Sequence, residues 1–149
     1  MASTTVKVEG LRELGEAMRS LGRDIALRVS GQATAAGAAP IKKRAIHNVE
    51  TSPSVDTGSL RDAIIVKKLP RSQTDLTSEH IVTVRGRGKK HTNTKRKQSI
   101  APHAHLVEFG TVNMPAEPFL QPAFNTEKNS ALDAIAKKLK QRIDAVRPK

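Results

Sequence analysis

Side chains capable of chemistry are sparse in this chain, and the first to weigh are its five histidines: His47, His80, His91, His103 and His105. His103 and His105 stand two apart, so on a β-strand they would share a face and could offer two imidazoles to one metal ion. A zinc site needs at least three converging protein ligands. The nearest acid, Glu108, lies three residues past His105 and would point to the other face of the same strand. A metal-dependent hydrolase built on this pair is therefore the weakest of the readings, and no metal or cofactor is implied. The absence of cysteine removes a thiol nucleophile, a disulfide and a thiolate-bound zinc. No Gly-x-Ser-x-Gly elbow is present. Arg85-Gly86-Arg87-Gly88 is too short to cradle a phosphate and opens no helix, and Gly110-Thr111 is not part of a Walker motif. The residues point away from an enzyme.

Charge gives a stronger lead. The net charge is +12, with 26 Lys and Arg against 14 Asp and Glu. Seven of those cations, Arg85, Arg87, Lys89, Lys90, Lys95, Arg96 and Lys97, fall in one acid-free run. Outside it, 19 cations face 14 acids, an ordinary balance. Residues 85–99 hold no apolar side chain, and the expectation is a mobile loop or a protruding hairpin tip. It suits double-stranded DNA, or equally it is a solvated loop that keeps the chain soluble or meets an acidic protein partner. Phosphate neutralisation would make DNA binding sequence-independent and steeply salt-dependent. No aromatics interleave with the charges, which excludes base stacking.

The second lead is the placement of aromatic and proline residues. The chain has no Trp or Tyr, and its three Phe are Phe109, Phe119 and Phe124. Three of the eight prolines, Pro115, Pro118 and Pro122, lie among them. A strand over Ala104–Val112 with Phe109 facing inward is expected to run into a stiff loop over Pro115–Phe124. Proline fixes φ there and limits the entropy lost on docking. Met114, Pro115, Pro118, Phe119, Leu120, Pro122 and Phe124 are the candidate subunit-interface residues. Phe119 divides evenly between an interface and its own subunit's core.

These segments need elements to carry them. Leu11, Leu14, Met18, Leu21, Ile25 and Val29 recur at spacings of three and four, the pattern of an amphipathic helix. A run of Ala, Gly and Ser follows, then Pro40, then the stripe Ile41, Ala45, Ile46 and Val49. One long helix over residues 9–50, kinked or split near Pro40, is expected. Residues 4–9 are expected to form a short strand or an extended arm leading to Gly10. Ile64–Leu69 and His80–Arg85 read as an antiparallel strand pair. Leu132, Ile135, Ala136, Leu139, Ile143 and Val146 form a last helical stripe, with Ser130 and Asp133 as a capping box. The order predicts one α+β domain over residues 1–149, its helices packed on a small antiparallel sheet and a long basic loop attached. No apolar run reaches the ~20 residues a membrane span needs, and no secretory signal is visible at the N-terminus.

Two stretches carry a family resemblance. Val107-Glu108-Phe109-Gly110-Thr111, continued by Met114-Pro115-Ala116-Glu117-Pro118-Phe119-Leu120-Gln121-Pro122-Ala123-Phe124, resembles the signature of the tail-completion or neck proteins of long-tailed double-stranded DNA phages, with lambda minor tail protein Z a distant relative. Thr57-Gly58-Ser59-Leu60-Arg61-Asp62-Ala63-Ile64 is similar to that family's second motif. Residues 86–99 follow no family pattern. The resemblance implies a structural virion protein, assembled in the host bacterial cytoplasm. It implies a homo-oligomeric ring, taken as a hexamer, at the junction of head and tail. Its neighbours would be head connector or stopper proteins and tail terminator or tail tube proteins, and DNA would pass through the channel. A free-standing basic protein that binds nucleic acid without sequence preference is the alternative.

Overall fold

A computed structural model describes residues 22–52, 58–70, 78–86 and 103–146, with isolated positions 12, 15, 16 and 19 before them. Two long helices frame the structure, α1 (Arg23–Thr51) and α4 (Leu120–Val146). Between them in sequence come the short helix α2 (Gly58–Ala63), strands β1 (Ile64–Lys68) and β2 (His80–Val84), and the short helix α3 (Ala104–Phe109). The class is α+β. Among the described residues no helix is long and apolar enough to cross a membrane.

α1 and α4 make the most extensive packing between elements. The buried stripe of α1 is Val29, Ala33, Gly37, Ala38, Ala45 and Val49, mostly small residues at helical spacing. Small side chains let the α4 backbone come close. A Cβ built on Gly37 would stand 2.5 Å from Ile135 Cγ1 and 3.1 Å from the Ala131 carbonyl oxygen. The Ala131 oxygen belongs to the α4 backbone and cannot turn aside, so the two helices would have to separate. Gly37→Val is expected to lower stability by about 1–3 kcal/mol through overpacking. A lower urea midpoint at unchanged slope would show it.

Pro40 lies inside α1, which runs through it unbroken. Proline at a helix interior forfeits one backbone hydrogen bond and crowds the preceding turn, and the packing against α4 offsets that loss. The helix is therefore not split at Pro40, and Gly22 is the non-helical residue before its start at Arg23. Of the first predicted stripe, Val29 is buried and Ile25 is exposed, while Leu11, Leu14, Met18 and Leu21 lie outside the described residues.

β1 and β2 pair antiparallel, with Ile64 opposite Val84, Val66 opposite Val82 and Lys68 opposite His80. Ile64 is fully buried, and Val82 and Val84 pack on the same core, so the even-numbered positions face the helices. At the other end of the pair, His80 Nδ1 lies 2.9 Å from Thr34 Oγ1 of α1. Burial holds this imidazole below the usual histidine range, with the Lys68 charge adding to the effect. The core cluster joins Ala45 and Val49 of α1, Leu60 of α2, Ile64 of β1, and Phe119 and Ala123 at the start of α4.

The third strand expected over Ala104–Val112 is a helix over Ala104–Phe109. Alternation would have put His105, Val107 and Phe109 inside. Ala104, Val107 and Glu108 turn to the core instead, at the three- and four-residue spacing of a helix, and Phe109 is 79% exposed. The sheet therefore has two strands among the described residues. α4 also begins at Leu120, twelve residues before the first residue of its apolar stripe. Ser130 and Asp133, read as its capping box, are exposed positions within it.

Candidate functional site

The segment that carries the phenylalanines is built around a buried acid. Glu108, at the end of α3, is 9% exposed. Its Oε2 accepts hydrogen bonds from the backbone N–H of Phe119 (2.8 Å) and Leu120 (2.9 Å), and its Oε1 from that of Gln121 (3.0 Å). A helix leaves its first four amide groups without an intrahelical partner. Here three of them donate to one carboxylate, and the fourth position is Pro122, which has no N–H to satisfy. The start of α4 is thus complete, and the negative charge sits at the positive end of the helix dipole. Pro122 does not exclude a helix, as its place in a presumed loop suggested. It occupies the first turn, where proline is tolerated.

The loop from Gly110 to Phe119 is fixed at several points. Gly110 has φ 73° and ψ −179°, a region open essentially to glycine alone. It closes α3 with its N–H on the Leu106 carbonyl, 2.8 Å away. A Cβ there would meet Ala116 N at 2.7 Å and the Met114 carbonyl oxygen at 2.9 Å, so the loop crosses directly over it. Thr111 and Met114 exchange backbone hydrogen bonds around a tight turn, and the Glu117 N–H donates to the Val107 carbonyl. Two ties reach across to the end of α1. Asn48 Nδ2 donates to the Phe119 carbonyl at 3.0 Å, and Ser52 Oγ donates to the Glu117 carboxylate.

This frame sorts the aromatic residues. Phe119 is 2% exposed and is a core residue of its own subunit. Leu120 is half-buried against the same core. Phe109, Val112, Met114 and Phe124 are the large apolar side chains left outward on this part of the molecule. Pro115 and Pro118 are exposed as well, and Pro122 is half-buried. Phe109 and Phe124 border a cleft of about 1570 Å³ between β2 and α4. Residue types alone give no way to tell Phe109 from Phe119. The sequence sign that could have done so is Glu108 itself, an acid in an otherwise apolar stretch twelve residues before a helix start.

His103 and His105 are exposed at the start of α3. Two residues apart on a helix, they point to different sides and do not form the shared face a strand would have given. Among the described residues no group of three or more potential ligands converges on a metal position. Of the basic run, Arg85 is half-buried at the end of β2, its N–H donating to the Ala63 carbonyl at 2.8 Å. Arg87, Lys89, Lys90, Lys95, Arg96 and Lys97 lie outside the described residues.

Residues 12–110 match the family described as "Bacteriophage HK97-gp10, putative tail-component". That span is about two thirds of the chain and takes in α1, α2, both strands and α3. The chain belongs to the HK97-gp10-like family. It is accordingly a phage tail component, a class of structural virion proteins. Comparison with curated proteins and with solved structures finds no match. The family match includes both the Thr57–Ile64 stretch, from which Leu60 and Ile64 enter the core, and Glu108–Gly110, whose acid caps α4. It ends before Met114–Phe124. In this HK97-gp10-like chain the Glu108-Phe109-Gly110 sequence has a physical role. The acid caps α4, the phenylalanine faces out, and the glycine lets the following loop cross over it.

Proposed function

We propose that this tail component is a ring subunit at the head–tail junction of a long-tailed phage, where it completes the tail and joins it to the head connector. The observation that carries the reading is the outward apolar set Phe109, Val112, Met114 and Phe124, held on a frame that has little freedom to move. Two of the three phenylalanines of the chain are left outside, although its core has no other aromatic residue. Exposed large apolar groups gathered on a stiff support mark an interaction surface. Because the loop is already ordered, little entropy is lost when a neighbour covers it.

In a ring each subunit presents one surface to a different surface of the next copy, and rotation closes the set. We assign Met114, Pro115, Pro118, Pro122 and Phe124 to that contact and add Phe109 and Val112. Six copies, the connector, stopper, terminator and tube proteins as neighbours, and DNA in the channel beside the basic run 85–97 complete the reading. The net charge of +12 supports a polyanion close to some part of the assembly.

The test is phage production without this chain, and then with the double variant Phe109→Ser, Phe124→Ser. Both are expected to leave filled heads and separate tails. The purified variant should keep its stability within about 0.5 kcal/mol, since surface changes seldom cost more. Infectious, fully joined particles in the absence of the chain would overturn the assignment.

A further inference from the structure

The cleft between β2 and α4 has a shape that its residues explain. Every residue from Ser78 to Val84 borders it. Successive residues of a strand point to opposite faces of the sheet, so a space touched by all of them runs along the strand's edge and not over one face. β1 covers the other edge of β2. The far wall is α4, with Leu132 and Ile135, and the floor is the small-residue stretch of α1 around Gly37 and Ile41. The cleft is a slot beside a two-stranded sheet, at the position a third strand would take. Two strands alone make a marginal sheet, and three with an apolar face make a stable one.

We propose that this slot is filled by residues 4–9 of this same protein, Thr4-Thr5-Val6-Lys7-Val8-Glu9, added as a strand to the open edge of β2. Pattern, length and elimination select this occupant. The segment alternates β-branched apolar and polar residues, as a strand with one buried face must. Six extended residues reach about 20 Å and the five of β2 about 17 Å, so the lengths agree. The other long segment outside the described residues, the basic run, has no apolar side chain from residue 85 to 99 and cannot line an apolar slot.

The register of β2 fixes which side chains meet. Val82 and Val84 face the helices, so Ile81 and Thr83 lie on the outer face. Val6 and Val8 then lie inward toward Leu132 and Ile135, and Thr5, Lys7 and Glu9 lie outward beside Ile81 and Thr83. The proposal stands on the cleft and does not depend on the ring.

The chain has no cysteine, so engineered pairs report cleanly. Thr83→Cys is combined in turn with cysteine at each position from 4 to 9 in the full-length chain, then oxidised. Disulfides need Cα atoms about 4.4–6.8 Å apart and side chains on one face. A link, within one copy or between two, is expected at position 5, 7 or 9 and several-fold less at 4, 6 and 8. No link anywhere, or equal linking at all six positions, overturns the proposal. As a second measurement, the full-length double variant Val6→Asp, Val8→Asp should exchange its β2 amide hydrogens at least several-fold faster than the parent. Unchanged exchange would count equally against it.

Discussion

Glu108→Ala is expected to lower the stability of this chain by about 3–5 kcal/mol, the sum of a lost helix cap and three amides left without a partner at a buried position. Hydrogen bonds to a charged group contribute about 1.5–3 kcal/mol each, but the three here share one carboxylate and are not additive. The acid also lies at the N-terminus of a helix of 27 residues, where negative charge is favourable. Glu108→Gln separates hydrogen bonding from charge. Its single carbonyl oxygen can still accept, while its amide nitrogen meets backbone N–H groups that also donate. About half the loss is expected for it. Urea unfolding of both variants, with hydrogen exchange at Phe119, Leu120 and Gln121, would check the cap. A loss below about 0.5 kcal/mol for Glu108→Ala would show that solvent satisfies those amides equally well, contrary to the burial of the site.

Phe119→Ala is the second large effect, also about 3–5 kcal/mol. Phe119 is 2% exposed and lies where α1, α2, β1 and α4 meet, so truncation leaves a cavity walled by Ala45, Val49, Leu60, Ile64 and Ala123. Those walls belong to helices and a strand fixed elsewhere, and they cannot collapse to fill it. Thermal unfolding of the isolated subunit should show a clear fall in midpoint. The contrast with Phe124→Ser is the informative part. Phe124 is 56% exposed, and its replacement should leave the subunit's midpoint nearly unchanged. If Phe119→Ala spared stability and abolished joining, the two residues would have to exchange roles.

How these roles divide shows what the residues could disclose unaided. The β pair was legible because Ile64–Lys68 and His80–Val84 are β-branched, alternate, and are short enough to be strands. The last helix was legible in its second half, where Leu132 to Val146 repeat at helical spacing. Its first ten residues were not, because Pro122 and the small or polar residues around it carry no apolar period. They are helical because Glu108 satisfies their amides from outside the helix.

Residues 104–109 failed for a related reason. His-Leu-Val-Glu-Phe permits strand or helix locally, and the choice was made by a contact eleven to thirteen residues away in the chain. Only a helix turns Glu108 inward together with Ala104 and Val107. That same turn sends Phe109 outward and so reverses the expected places of Phe109 and Phe119. The α1–α4 packing was likewise hidden, since its buried stripe on α1 is largely Ala and Gly, residues chosen for closeness and not for hydrophobicity.

The fold class, the strand pair and the family could be read from the residues, because these rest on local propensity, periodicity and short motifs. Folding in three dimensions set which phenylalanine is core and which is surface, where α4 begins, and that β2 borders a cleft among the described residues. Each of those depends on a buried polar group or a close backbone approach between distant parts of the chain, and no local pattern records either.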